Sequence, residues 1–121
     1  MTHYCLYDLG PKRDLGRFLE GHVAGAWSAP WQGKVKTKGW MSVLAASTAL
    51  TESTSMSALL RRCIDFSGDV DTVAAIALAA GSCSREVGQD LPENLILQLE
   101  DGAYGRQYLL ALDAQLLALV R

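Results

Sequence analysis

The sequence predicts an all-α fold. From Met41 onward, apolar residues recur at the spacing of one helix face, rich in Ala and Leu. No stretch alternates apolar and polar residues over the length of a strand. Gly, Pro, Ser and Thr clusters punctuate the chain at intervals that suit helices joined by short turns.

Residues 1–40 are the least regular part. They carry Pro11, Pro30 and glycines at 10, 16, 21, 25, 33 and 39. Asp14 is a good N-cap and starts a short predicted helix running to about Val23. "AWSAPWQGKVKTKGW" then reads as a loop, with Trp27, Trp31 and Trp40 as anchors that pin it to the body. "MSVLAASTAL" opens the helical region, 41–121, of what reads as a single domain over 1–121. "TESTS" interrupts it and supplies caps. "MSALLRRCIDF" places Met56, Leu59, Leu60, Cys63 and Ile64 on one face, with Arg61 and Arg62 opposite. "SGD" is a turn, and the next helix runs from Val70 to about Ser84. Nearly free of charge all round, that helix reads as central and buried on every side. "GQDLPENLILQLEDG" is a further helix, with Pro92 in its first turn and Gly102 past its end. "YGRQYLLALDAQLLALV" closes the chain, with Tyr108, Leu109, Leu112, Leu116 and Val120 as its stripe.

Composition narrows the function. The formal net charge of −2 is too mild to argue for nucleic acid or an anionic membrane. Residues 1–40 hold six Lys/Arg against three Asp/Glu, which reads as a solvated face. Cys5, Cys63 and Cys83 are odd in number and lack a CxxC pair. That argues against a disulfide framework or zinc site and for a reducing compartment. "MTHYCLYDLG" lacks the pattern of a signal peptide, and the longest apolar run, Val73 to Ala80, is far short of a membrane span. The expected location is the cytoplasm.

"DFSGDVDTVAAIALAAG" carries the chemistry. Asp65, Asp69, Asp71 and Thr72 crowd into eight residues at the mouth of a bland helix. One Asp would suffice as a cap; Asp69 and Asp71 together point to a cation. If the backbone turns into a helix at Val70, both carboxylates face one cleft and Thr72 adds a hydroxyl. Oxygen donors of this kind suit Mg²⁺. An EF-hand is excluded, because the sixth residue from Asp65 is Val70 and the twelfth is Ile76, where Gly and Glu are required. Caps and turns remain the ordinary alternative for such residues.

"SGDVDTVAAIALAAG" resembles the C-terminal G-G-D-T-D-T signature of the ADP-ribosylglycohydrolase family, which a small-residue helix follows. The resemblance extends upstream through "KGWMSVLAASTALTESTSMSALLRRCIDFSGDVDT", so it covers about Gly39 to Gly81 well and the last helices loosely. It implies a compact all-α domain in which two Mg²⁺ ions (Mn²⁺ as a substitute) hold a ribose beside the scissile bond. Water then releases ADP-ribose from its acceptor. Asp69, Asp71 and Thr72 match the family's C-terminal metal ligands, while Trp40 and Gly68 fall at ligand-binding positions. At Trp40, stacking on the ligand and packing in the core are both open.

Two signature residues differ. Ser67 replaces the first Gly, a tolerable change if its backbone dihedrals are ordinary, and Val70 replaces a Thr. The family's remaining ligands, a Thr-Asp-Asp motif and a Glu, belong to the N-terminal part of chains more than twice this long. No such motif precedes Gly39; Asp8 and Asp14 are isolated. The expectation is a truncated or split glycohydrolase, weak or inactive alone. The alternative is a non-catalytic metal or ADP-ribose-binding module, or a structural remnant acting with a partner chain. Either a homodimer or a partner supplying the missing half is expected, formed over the Val70–Ser84 helix or its neighbours.

Overall fold

The computed structural model describes residues 1–120, excepting the side chain of Val120. It is mostly helical: α1 (Thr2–Leu6), a 3-10 turn (Lys12–Asp14), α2 (Leu15–Glu20), α3 (Gly39–Glu52), α4 (Met56–Asp65), α5 (Val70–Gly81), α6 (Glu93–Leu97) and α7 (Arg106–Val120). Two compact units divide it, Met1–Asp90 and the residues from Leu91 onward. The irregular segment 1–40 thus belongs with α3 to α5.

In the first unit α5 is the hub, packed on α1, α3 and α4. Leu15, Leu50, Leu59 and Val73 are fully buried, with Ala45, Ala46, Ala49, Ala77 and Ala80 between the helices. Each large side chain among these contributes about 1.5–3 kcal/mol by leaving water. The alanines let the helix backbones approach closely. At Gly81 the approach is tightest: a Cβ there would lie 2.6 Å from Leu59 Cδ2 and 3.0 Å from Met56 Sδ.

Contrary to the reading of a helix buried on every side, α5 buries one face, Val73, Ala77, Ala80 and Gly81. Asp71, Ala75 and Ala79 are exposed. The missing charge on that side is made up by alanines, whose single methyls leave little apolar surface uncovered. On α4, Met56, Leu59 and Cys63 are buried as expected, but Ile64 is 55% exposed. Ile64 sits at the margin of the stripe, one residue from the C-terminus of a ten-residue helix.

Two isolated parallel bridges seat the starts of α4 and α5. Ser55 pairs with Gly88, and Val35 pairs with Gly68. At α4, Met56 N–H donates to Gly88 O (2.8 Å) and Gly88 N–H to Thr54 O (2.9 Å). The Ser55 hydroxyl caps the helix by accepting from Ala58 N–H at 3.3 Å. Asp90 adds a remote cap, its Oδ1 accepting from Ser57 N–H at 2.8 Å.

α1 has no counterpart in the sequence reading. Its five residues are too few to be stable alone, and the burial of Tyr4 and Cys5 against the unit supports it. Tyr4 Oη also donates to Pro11 O (2.9 Å). The Lys12 side chain reaches the carbonyl of Ser53, and Arg85 Nη1 pairs with Asp8 Oδ2 at 2.9 Å. Trp27 and Trp31 are half-buried anchors, whereas Trp40 is 49% exposed.

In the second unit the helix expected over "GQDLPENLILQLEDG" is only Glu93–Leu97. A turn takes up the remainder: Arg106 N–H donates to Glu100 O (3.0 Å) and Gln107 N–H to Asp101 Oδ1 (2.9 Å). α7 forms as expected, but its stripe is uncovered, with Tyr108, Leu109, Leu112 and Leu116 all exposed. Val120, the last member of that stripe, has its side chain outside the described residues.

Candidate functional site

The acidic turn is built from its backbone outward. Phe66 ends α4, and Ser67 N–H donates back to Ile64 O at 3.0 Å. Ser67 then enters the left-handed region with φ +58°, and Gly68 follows at φ +83°. The condition of ordinary dihedrals, under which serine would be a tolerable replacement for glycine here, is therefore not met. Ser67 occupies the position after the helix cap, where glycine is favoured because it carries no Cβ penalty. Gly68 is required for a second reason: a Cβ there would collide with the carbonyl oxygen of Val35. Removing that Cβ allows the bridge, in which Val35 N–H donates to Ser67 O and Asp69 N–H donates to Val35 O, both at 3.2 Å. Lys34 lies over the turn, its Cγ 3.0 Å from where that Cβ would stand.

This turn delivers Asp69 as the N-cap of α5. Its side chain makes no capping hydrogen bond to the helix it starts. Instead Oδ2 accepts from Ser42 Oγ, 3.1 Å away on α3. The neighbouring Thr72 hydroxyl, first, then Asp71 and Ser42, holds the Asp69 carboxyl below the usual carboxylate range, against a smaller opposing effect of burial. The partial positive charge of the helix end also favours an anion here. Asp71, in the first turn, and Thr72 are exposed to solvent.

The backbone brings Gly68, Asp69, Asp71 and Thr72 together with Ser42, which the sequence reading passes over. One signal was available: a serine in the first turn of α3, among the apolar residues 40–46. Ser42 is 1% exposed, and a buried hydroxyl needs a partner. Trp40 is placed differently. Two residues from Ser42 on α3, it leaves by another face and joins Trp27, Leu44 and Ala24–Ala26 around an open apolar cleft of about 450 Å³. Its ring meets Trp31 edge-on, with centroids 5.7 Å apart and planes at 80°.

The donors at the turn are hard oxygens: two carboxylates and a hydroxyl. That chemistry suits Mg²⁺ or Mn²⁺. The number is small for a complete centre. Among the described residues, no group of three or more His, Cys, Asp or Glu converges to hold a metal. Water or a second protein segment would fill the other positions.

Cys63 on α4 is unsuited to nucleophilic work. Burial pushes its thiol up to about 11, and burial also raises Cys5. All three cysteines are free thiols, with Cys83 the least covered. Among the described residues no helix is long and apolar enough to cross a membrane. Comparison with known protein families, curated proteins and solved structures finds no match to the chain.

Proposed function

We propose that the chain is an ADP-ribosylglycohydrolase-type protein whose acidic turn binds a divalent cation against an ADP-ribosyl ligand. One observation carries this reading: at the start of α5 the carboxylates of Asp69 and Asp71 and the Thr72 hydroxyl stand together, with Asp69 Oδ2 held by Ser42 Oγ from α3. Kept ionised by Thr72, Asp71 and Ser42, the Asp69 carboxylate offers a charged oxygen beside the exposed Asp71.

Asp69, Asp71 and Thr72 would hold the cation, Mg²⁺ or Mn²⁺. When bound, it supplies a Lewis acid and a template for ribose oxygens. Ser42 positions Asp69. Gly68 lets the turn approach Val35, whereas Trp40 lines the separate apolar cleft and has no part at the turn. The reaction class is hydrolysis: water adds to the anomeric carbon, the glycosidic N or O bond breaks, and the acceptor leaves with a proton.

Ligand number favours a second reading as well. With two carboxylates, the described residues can hold one cation, whereas a catalytic pair needs donors on both sides. The chain alone then acts as a metal and ADP-ribose-binding module, and turnover requires a second copy or a partner chain. Incubation with ADP-ribosylated peptide and Mg²⁺, read by release of ADP-ribose, tests the two together. Weak or absent turnover with measurable ADP-ribose binding is the expected result. Robust turnover abolished by Asp69→Ala would establish the complete enzyme; neither binding nor turnover would remove the ADP-ribose reading.

A further inference from the structure

α7 presents an apolar face that its own unit leaves open. Leu109, Leu112, Leu116 and Leu119 recur at intervals of three, four and three, the spacing of a coiled-coil seam. Leu110 and Leu117, seven apart, form a second row beside that seam. All six are exposed, from 38% at Leu112 to 83% at Leu119. Within the unit that begins at Leu91, α6 makes little contact with α7.

The area decides whether a second copy can fill this face. From those exposures the six leucines leave on the order of 600 Å² uncovered per copy, so two copies face to face bury about 1,200 Å², where specific interfaces begin. A leucine seam is also self-complementary, because the same patch on two copies interdigitates about a two-fold axis. The composition speaks against other occupants. Between Tyr108 and Leu119 the only charge is Asp113, so the seam offers a charged peptide nothing to pair with. The side away from the leucines presents Gln107, Ala111, Ala114, Gln115 and Ala118. It lacks the lysines and arginines that hold an amphipathic helix on a lipid surface.

We propose that α7 is a self-association helix: the seam from Leu109 to Leu119 packs against the same seam of a second copy, with Leu110 and Leu117 at its border. The sequence places association over the Val70–Ser84 helix or its neighbours. The outer face of α5 offers only the small side chains of Ala75 and Ala79, which have little surface to bury, so the leucines of α7 take that role. The proposal is independent of the acidic turn and stands whether or not that turn holds a metal.

The test is sedimentation velocity of the whole chain from low to high micromolar concentration. The mass of the wild type should rise from 13.1 kDa to twice that value. Leu109→Glu with Leu116→Glu should weaken self-association at least about a hundredfold, since four leucines leave the interface of a pair. Leu112→Ala with Leu119→Ala keeps the helix propensity and should weaken it at least about tenfold. Ala111→Glu with Ala118→Glu adds the same charge on the opposite side and should leave association unchanged. Vesicles of phosphatidylcholine and phosphatidylglycerol should not carry the wild type in flotation. A monomer at every concentration, association unchanged by the seam variants, equal loss from both glutamate pairs, or a monomer carried by the vesicles would overturn the proposal.

Discussion

Replacing Gly68 with Ala should disrupt the acidic turn more than any other single methyl added to the chain. At φ +83° a side chain is strained whatever space surrounds it, at about 1–2 kcal/mol. Space is also lacking, because the obstacle is the backbone carbonyl of Val35 rather than a flexible side-chain end. The strand-like segment must move away, breaking the bonds Val35 N–H to Ser67 O and Asp69 N–H to Val35 O. Each contributes about 0.5–1.5 kcal/mol net. The expected loss is therefore about 2–5 kcal/mol, a large share of the ~5–15 kcal/mol by which domains are stable. Next to it, Ser67→Gly should act in the opposite direction. It removes the left-handed strain of a serine at φ +58° and should gain about 0.5–1 kcal/mol, since the more flexible unfolded chain offsets part of the benefit. Urea unfolding followed by circular dichroism measures both. A Gly68→Ala midpoint within error of wild type, or a Ser67→Gly variant less stable than wild type, would refute the reasoning about this turn.

Acid should destabilise the protein. Glu20 is held below its usual value first by the backbone N–H of Ser28, Asp90 first by that of Ser57, and Asp69 first by Thr72. A depressed folded-state pKa gives stability that is present above the unfolded value and lost as pH falls through the folded one, here below about pH 4. Asp90→Asn should flatten that loss in an acid titration, and an unchanged profile would count against the remote cap on α4. Thiol labelling at pH 8 should modify Cys83 in the native protein and Cys63 only after unfolding; equal rates would contradict the burial of Cys63. The exposed leucines of α7 should drive association at micromolar concentration, reduced by Leu112→Glu with Leu116→Glu. Light scattering that gives a clean 13.1 kDa monomer for wild type would rule this out.

Much of the helical layout was legible in the sequence because its signals are local. Ser55, Pro92 and the break at "SGD" mark helix ends through their own backbone preferences, and the stripe of Met56, Leu59 and Cys63 is periodic. What was hidden depends on distant partners. α1 is supported by burial against the body of its unit, and the seats of α4 and α5 come from Gly88 and Val35, each more than thirty residues from the residue it pairs with at the helix start. The exposure of α5's outer face was masked because alanine reads as apolar whether covered or not. At the site, Asp69, Asp71 and Thr72 were visible as a crowd of oxygens. Ser42 was not, because its role is fixed by a contact across 27 residues.

The most direct test of the metal reading is a Mn²⁺ titration by calorimetry on wild type and Asp71→Asn, with and without ADP-ribose. The account predicts weak binding to wild type, strengthened by ADP-ribose, and at least tenfold weaker binding to the variant, since such sites depend on ligand charge and number. Identical titrations from the two proteins would contradict it.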